Sequence, residues 1–233
     1  MSEQSMQNIA LFDLDHTLLP IDSDYEWGQF LCRVGAVDAA EFGRRNAEFF
    51  EQYKAGTLDP VEYLEFALGT LAQFPRRQLN DYHAQFMQEV VNPALLPAAH
   101  DLLKQHQDQN DLIAIITATN RFVTQPIAQA LGVEHLLAAE PHLDAQGNLT
   151  GKLLGVPTSG PGKVTHLNAW LAQQGKQLSD FNKSYFYSDS QNDIPLLSIV
   201  THPIATNPNK LLQAHAQAHG WPTLQLFELQ NQA

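Results

Sequence analysis

The stretch IALFDLDHT, residues 9–17, is an apolar run that stops at two aspartates. Its first four residues, Ile9 to Phe12, predict a short strand that is buried on both faces, as in a parallel sheet. Asp13 and Asp15 then follow at the carboxyl end of that strand. Two carboxylates at this spacing are typical of a turn or a helix cap as well as of a functional site. Motifs elsewhere in the chain are needed to choose between these interpretations.

Strands and helices alternate through the second half of the chain, whereas the region between the first strand and residue 92 has helical spacing throughout. This order predicts an α/β fold, with a Rossmann-like, doubly wound parallel sheet and an inserted helical domain. The predicted core comprises residues 1–20 and 93–233, and the insert comprises residues 21–92. The predicted strands after the insert are residues 112–116, 135–139, 149–154, 184–187 and 201–205, with a hairpin turn at 144–148.

Three further polar clusters follow predicted strands or begin predicted helices. Each is weak evidence alone, since strands often end in threonine, a lysine at a helix start is usually solvated, and aspartate often caps a helix. In open α/β sheets, however, sites form outside the carboxyl ends of the strands. The clusters are therefore expected to meet the first two aspartates in one crevice. They are Thr117 with Ala118, Thr119 and Asn120, then Lys163, then Asp189 with Asp193.

The order of these motifs resembles the haloacid dehalogenase superfamily, in which a DxDxT motif, a hydroxyl residue after a strand, a lysine and a DxxND motif follow one another. The resemblance runs from about Ile9 to Ile204, which is most of the chain. The helical insert stands where that family has its type 1 cap. The insert, together with the GNLTG segment at 147–151, is similar to the phosphoserine phosphatase-like branch, some members of which are described as histidinol-phosphatases.

The resemblance implies a phosphatase that forms a phosphoaspartate. Asp13 would be the nucleophile, and Asp15 would protonate the leaving oxygen and later activate water. Thr117 would bind phosphoryl oxygens, and Lys163 would neutralise charge on the phosphoryl group. The cofactor implied is Mg²⁺, which prefers oxygen ligands. Its expected ligands are Asp13, the backbone carbonyl of Asp15 and Asp189, with Asp193 beside the metal or in contact with it.

The sequence departs from the phosphoserine phosphatases in the residues that would bind substrate. Ala118 and Thr119 stand where those enzymes have glycines, and with Asn120 they are expected to lie against the phosphate. Asp22 stands where an acidic residue binds the serine amine, although it could equally be a helix cap. Glu65 aligns with the cap arginine that holds the serine carboxylate, and a carboxylate does not bind another carboxylate.

Asp22 and Glu65 together would favour a cationic substrate without a carboxylate, and histidinol phosphate fits that description. Phosphoserine remains an alternative substrate, since other cap arginines could replace the one that is missing. A phosphotransferase or mutase using the same phosphoaspartate and a non-catalytic phosphate-binding module are also alternatives. The complete set of acidic residues and the lysine argues against the last of these.

Bulk composition limits the partners. The formal net charge is −12, with 25 acidic residues against 13 basic ones, so nucleic acid and anionic membranes would be repelled. A small-molecule phosphate ester is the expected partner, and the oligomeric state stays open. The single cysteine, Cys32, is expected to be a buried apolar side chain in a cytoplasmic protein. The N-terminal residues have no signal-like pattern, and the histidines are not expected to form a zinc site.

Overall fold

The computed structural model describes residues 6–228, so residues 1–5, on which the prediction about a signal sequence partly rests, lie outside the described part. Its centre is a seven-stranded sheet in which only β3 and β4 are antiparallel neighbours. The spatial order is β4-β3-β2-β1-β5-β6-β7. The strands are β1 (Ile9–Phe12), β2 (Leu112–Asn120), β3 (His135–Leu143), β4 (Leu149–Leu154), β5 (Ser184–Ser188), β6 (His202–Thr206) and β7 (Thr223–Leu224).

The sheet is covered on both faces, which confirms the predicted doubly wound fold. Successive side chains of β1 point to opposite faces. Ala10 and Phe12 join one apolar core, while Ile9 and Leu11 join a second core on the other face. All four side chains are fully buried. The strand order reverses at β1, and in such sheets a crevice opens at that reversal, beyond the carboxyl ends of the strands.

Six helical segments lie between β1 and β2 and form the predicted insert and the helix that follows it. Asp22, Asp38 and Asp59 cap the first three helices, each accepting hydrogen bonds from two backbone N–H groups of its own helix. The segments are α1 (Ser23–Arg33), α2 (Ala39–Ala55), α3 (Pro60–Leu71), α4 (Arg76–Phe86), which continues into a π-helical turn at Met87–Val91, α5 (Asn92–Ala94) and α6 (Pro97–Asp108). The domain boundaries at residues 20/21 and 92/93 stay a prediction.

The remaining helices connect or follow the other strands of the sheet. They are α7 (Arg121–Ala130), α8 (Pro161–Gln173), α9 (Ile194–Leu197) and α10 (Lys210–His219). Gly132 follows α7 with a φ of 71°, as expected for the residue that ends a helix in the left-handed region. No helix within residues 6–228 has the length and apolar character needed to cross a lipid bilayer.

The β3–β4 hairpin packs directly against α3 of the insert. The closest approach is at Gly151, whose φ is 78°. A Cβ atom added there would lie 3.1 Å from the Cα of Gly69 and 3.4 Å from the Cβ of Ala72. The absence of a side chain at Gly151 therefore allows the two backbones to meet, and its positive φ is one that glycine adopts without strain.

Several predictions differ from the structure. The second strand was expected to end before Thr117, but β2 continues to Asn120, with a shift in its register against β3 after Ile116. Irregularities of this kind are common next to sites, because they change the direction of side chains. The helix α10 and the short edge strand β7 were not predicted. Cys32 is half-buried and not in a disulfide, whereas full burial was expected.

The histidines do contain one pair with the spacing of metal ligands, His215 and His219 on α10. Their rings stack on each other with centroids 3.9 Å apart, and Trp221 packs beside them. The Nδ1 atom of His219 is bonded to the backbone oxygen of His215 at 2.9 Å. The pair therefore packs as a stacked surface cluster. Across the described ranges, no group of three or more acidic, histidine or cysteine side chains is arranged as a metal site.

Candidate active site

A buried lysine joins the ends of two elements at the carboxyl edge of the sheet. Lys163, near the start of α8, donates to Oδ1 of Asp13 at 2.7 Å and to Oδ2 of Asp193 at 2.6 Å. All three residues are at most 7% exposed. Burial alone lowers the pKa of Lys163, but the two carboxylates outweigh it and raise the pKa above its usual value. The lysine therefore stays charged and holds the carboxylate of Asp13 in a fixed position.

The backbone that carries Lys163 has no space for a larger residue at the preceding position. A Cβ atom on Gly162 would lie 2.0 Å from the carbonyl oxygen of Pro157. Gly162 also donates its N–H to the backbone oxygen of Ser159 at 2.8 Å. Glycine at this position is thus required for the tight loop that begins α8 and directs Lys163 toward the sheet.

Gly162→Ala is expected to lower kcat/KM by about tenfold to a hundredfold, because the loop has to move and a displacement of about 1 Å at a catalytic group costs that much. The control is Gly69→Ala, since a Cβ atom at Gly69 meets nothing within 4 Å. Steady-state kinetics and melting temperatures of both variants give the comparison. Equal rates in Gly162→Ala and Gly69→Ala would contradict this account of the loop.

Asp189, at the end of β5, faces Asp13 without a balancing cation of its own. Its Oδ1 atom is buried and has no hydrogen-bond partner, and burial together with the charges of Asp13 and Asp193 raises its pKa well above the usual range. Thr17 connects the two strand ends, donating to Oδ2 of Asp13 at 3.3 Å and accepting from the N–H of Asp189 at 3.1 Å. A cation placed between Asp13 and Asp189 would relieve this repulsion.

The pair of carboxylates fits the requirements of Mg²⁺. This ion is usually held by one or two protein carboxylates and completes its shell with water and substrate phosphate oxygens. Two facing carboxylates therefore suffice, although they do not form a group of three ligating side chains. The side chain of Asp193 is instead bonded to Lys163 and, at 2.7 Å, to the hydroxyl of Ser188. Its position favours orientation of the lysine over contact with a metal.

Asp15 lies beside Asp13 but makes different contacts. Its Oδ1 accepts from the N–H of Ser23 at 2.7 Å, and its Oδ2 accepts from the hydroxyl of Thr119 at 2.9 Å. Burial, followed by the charge of Asp22, raises the pKa of Asp15 to about 6. A carboxyl group in this range can give up and take back a proton near neutral pH.

The end of β2 supplies the other groups expected near a phosphate. Thr117 and Thr119 are buried and face the cavity, and the Thr119 N–H donates to Oγ1 of Thr117 at 3.2 Å. Ala118 is exposed and also lines the cavity. Asn120, predicted to contact substrate, does not line the cavity. Its Oδ1 accepts from the N–H of Val123 and so caps α7.

These groups form the floor of a cavity of about 370 Å³ that the helical insert covers. Five aromatic residues of the insert form part of its wall. Tyr53 of α2 lies near the acidic residues of the floor. Burial, and then the charges of Asp189 and Asp13, raise its pKa well above the usual value. The aromatic residues are Tyr25, Phe49, Phe50, Tyr53 and Tyr63.

The structure places one of two predicted substrate-binding residues in the cavity and the other outside it. Asp22 lines the cavity and also caps α1, its Oδ1 accepting from the N–H groups of Asp24 and Tyr25 at 3.1 and 2.9 Å. Glu65 is exposed and does not line the cavity, so the alignment that placed it in the site is wrong. Its neighbours Tyr63 and Leu64 on α3 face the cavity in its place.

Comparison with known proteins agrees with this geometry. A sequence model described as haloacid dehalogenase-like hydrolase matches residues 10–198. The chain belongs to this family. A histidinol-phosphatase from Neisseria meningitidis is 40% identical over 219 residues, which cover 94% of this chain and 99% of the relative. The predicted haloacid dehalogenase-type phosphatase is thus confirmed.

Solved structures of similar proteins confirm the fold. A protein of unknown function from Bordetella pertussis Tohama I is 49% identical, with a TM-score of 0.91, and the match covers 96% of this chain and 100% of the other. A substrate-bound phosphoserine phosphatase complex is 17% identical with a TM-score of 0.68, covering 95% and 94%. At that identity the second likeness concerns the fold alone.

Sequence reasoning missed Ser188 and Asp24, which the structure brings to this haloacid dehalogenase-type site. Ser188 supports Asp193, and Asp24 lines the cavity. Ser188 stands next to Asp189 in the sequence, so its hydroxyl could have been noticed. Asp24 carries no signal of that kind, because its part in the site depends on how the insert packs on the sheet.

Proposed function

We propose that the chain is a Mg²⁺-dependent phosphomonoesterase that transfers the phosphoryl group of a small ester first to Asp13 and then to water. The observation that carries this proposal is the floor of the cavity. There, Asp13 is fixed by a permanently charged Lys163, faces the unpaired Asp189 and has a second carboxyl group, Asp15, beside it. This arrangement provides a nucleophile, charge neutralisation and a proton donor, which phosphoryl transfer requires.

The proposed metal ligands are the side chains of Asp13 and Asp189 and the backbone carbonyl of Asp15. Bound Mg²⁺ would offset the repulsion between these carboxylates and the incoming phosphate. Lys163 would neutralise a phosphoryl oxygen, and Asp193 would hold Lys163 in place. Thr117 and the backbone at Ala118 would bind further phosphoryl oxygens. One donor of this kind typically contributes about 10²–10³ in rate.

The chain's own side chains account for both halves of the reaction. A carboxylate oxygen of Asp13 attacks phosphorus, and the bond from phosphorus to the ester oxygen breaks. The leaving oxygen takes the proton of Asp15. Water then attacks the phosphorylated Asp13, giving a proton back to Asp15, and the bond from phosphorus to Asp13 breaks. The covering insert excludes bulk water during the first half.

Histidinol phosphate is the proposed substrate. Among the described residues that line the cavity, Lys163 is the only lysine, arginine or histidine, and it is already bound to two carboxylates. The carboxylate of phosphoserine would therefore have no cation to bind. Asp22, Asp24 and the aromatic wall instead suit a cationic or N–H-bearing group. The activity named for the relative from Neisseria meningitidis supports the same choice.

Phosphate release from a panel of esters tests the proposal. The panel contains histidinol phosphate, phosphoserine and a sugar phosphate, each with Mg²⁺ and with EDTA. We expect Mg²⁺-dependent release that is fastest for histidinol phosphate and is lost in Asp13→Asn. Faster turnover of phosphoserine would refute the substrate, and EDTA-resistant turnover would refute the metal. Transfer of phosphate to an added alcohol in preference to water would indicate a phosphotransferase.

The wider setting is part of the same proposal. The acidic composition and the position of the cavity beneath the insert support a small cytoplasmic metabolite as substrate in preference to nucleic acid or lipid.

A further inference from the structure

Asp24 lies in the first turn of α1 and is only 5% exposed. It lines the cavity above the catalytic floor. Its Oδ1 atom receives a long hydrogen bond, 3.4 Å, from the side-chain amide of Asn120. Its Oδ2 atom is buried and makes no hydrogen bond of ordinary length and angle, although the Tyr63 hydroxyl lies close enough to lower the pKa of Asp24. An ionised oxygen in this state is costly, because it has lost water without gaining a donor, so the free protein favours the protonated carboxyl group.

The two other carboxylates on this side of the cavity already accept hydrogen bonds from the protein. Both oxygens of Asp15 accept hydrogen bonds, from Ser23 and Thr119. Oδ1 of Asp22 accepts from two backbone N–H groups at the start of α1. Of these three acidic residues, Asp24 is the one with a buried oxygen that lacks a well-formed hydrogen bond. This oxygen is not accessible in the free protein, so it would accept from a ligand donor in the cavity after the Asp24 side chain rotates.

The surroundings of Asp24 indicate the chemistry of that donor. Tyr63 lies beside it, and burial followed by the charge of Asp24 raises the pKa of Tyr63 well above its usual value. Tyr25, Phe49 and Phe50 line the same cavity. Flat cationic rings bind well against aromatic faces near a carboxylate. An imidazolium ring, which has two N–H donors, matches both features.

We propose that Asp24 is a specificity-determining residue that accepts a hydrogen bond from a second basic group of the substrate, the imidazole ring in histidinol phosphate. Asp22 would then bind the amine. The assignment rests on the proposed function, since it assumes an ester with two basic groups. It predicts selection for such esters over those that carry an amine alone.

Product inhibition separates the contribution of Asp24 from that of the phosphate site. Histidinol carries both basic groups and no phosphate, whereas inorganic phosphate carries neither. Inhibition constants for the two compounds are measured in the wild type, in Asp24→Asn and in Asp81→Asn, an exposed aspartate on α4 that serves as control. A charge-assisted hydrogen bond is worth about ten- to a hundredfold in affinity.

We expect Asp24→Asn to raise the inhibition constant of histidinol at least about tenfold relative to that of phosphate. The same variant should lose its preference for histidinol phosphate over phosphoethanolamine, which carries only an amine. A ratio that changes less than about twofold, or equal weakening of both inhibitors, would overturn the role of Asp24. If wild-type enzyme hydrolyses other esters but neither binds histidinol nor hydrolyses its phosphate, the proposed substrate itself fails.

Stability against pH distinguishes a binding role from a structural one. Burial, and then the charge of Asp22, raise the pKa of Asp24 to about 8. The charge of Asp15 adds to this rise, whereas the hydroxyl of Tyr63 opposes it. The folded protein thus holds this proton where the unfolded chain has lost it, so stability falls as pH rises from about 4 to about 8. Asp24→Asn should raise the melting temperature more at pH 8 than at pH 4. A lowered melting temperature at both values would show a structural role instead.

Discussion

Lys163→Met is expected to reduce both activity and stability more than most single substitutions in this chain. The lysine is the cation shared by Asp13 and Asp193, and Asp189 lies beside them. Removing one partner of a buried ion pair costs about 3–5 kcal/mol in the free energy of unfolding, because the remaining charges lose their compensation. Since the lysine is also proposed to fix the nucleophile and to neutralise the phosphoryl group, kcat/KM should fall by at least about 10²–10³.

A second substitution separates the two effects. The double variant Lys163→Met, Asp193→Asn no longer has the carboxylate of Asp193 that Lys163→Met leaves uncompensated. Part of the lost stability should therefore return, while activity stays lost. Lys183→Met, at an exposed lysine just before β5, is the control. Chemical denaturation and steady-state kinetics measure both quantities. Our reading of the site is incorrect if Lys163→Met unfolds at the same denaturant concentration as Lys183→Met.

Asp15→Asn is expected to stop the reaction after its first half when the ester has a good leaving group. The nitrophenolate of p-nitrophenyl phosphate departs without a proton, so Asp13 can still be phosphorylated. Water, however, has lost the base that Asp15 provides, which typically costs about 10²–10⁴ in rate. Mixing the variant with this ester and Mg²⁺ should release a burst of about one nitrophenol per enzyme, followed by very slow turnover.

Alkyl esters provide the matched comparison. Their leaving oxygen needs the proton of Asp15, so histidinol phosphate should give no burst in the same variant. Mass spectrometry of the quenched enzyme should find one added phosphoryl group on the peptide that contains Asp13. A burst that persists in Asp13→Asn with Asp15→Asn would show that another residue is the nucleophile. Full turnover of the alkyl ester by Asp15→Asn would remove Asp15 from the mechanism.

The sequence was most informative where local chemistry and position along a strand coincide. Ile9 to Phe12 are apolar on both sides, and the switch to Asp13 shows where the strand leaves the core. Lys163, Asp189 and Asp193 stand at equivalent positions, just beyond strands or at a helix start. Because the sheet brings all these ends to one edge, the floor of the site could be predicted without knowledge of side-chain packing.

The walls of the site depend on contacts between elements that are distant in sequence. Glu65 was placed in the cavity by aligning helices, but a shift of one or two positions turns a helical residue away, and Tyr63 faces the cavity. Asp24 looked like an ordinary first-turn acid, and its role depends on Asn120 and α3. The extension of β2 past Thr117 and the strand β7 likewise depend on neighbouring strands.

The contact between Gly151 of the hairpin and Gly69 of α3 has a mechanical consequence. The insert is joined to the sheet by the chain before α1 and after α5, where α1 and α4 also pack on α7, and the hairpin adds a further attachment point on α3. A body attached at two points can rotate about the line between them, whereas a third point away from that line fixes its tilt. Exchange of substrate and product should therefore involve local displacement of α2 around Tyr53, with α3 and the hairpin moving little.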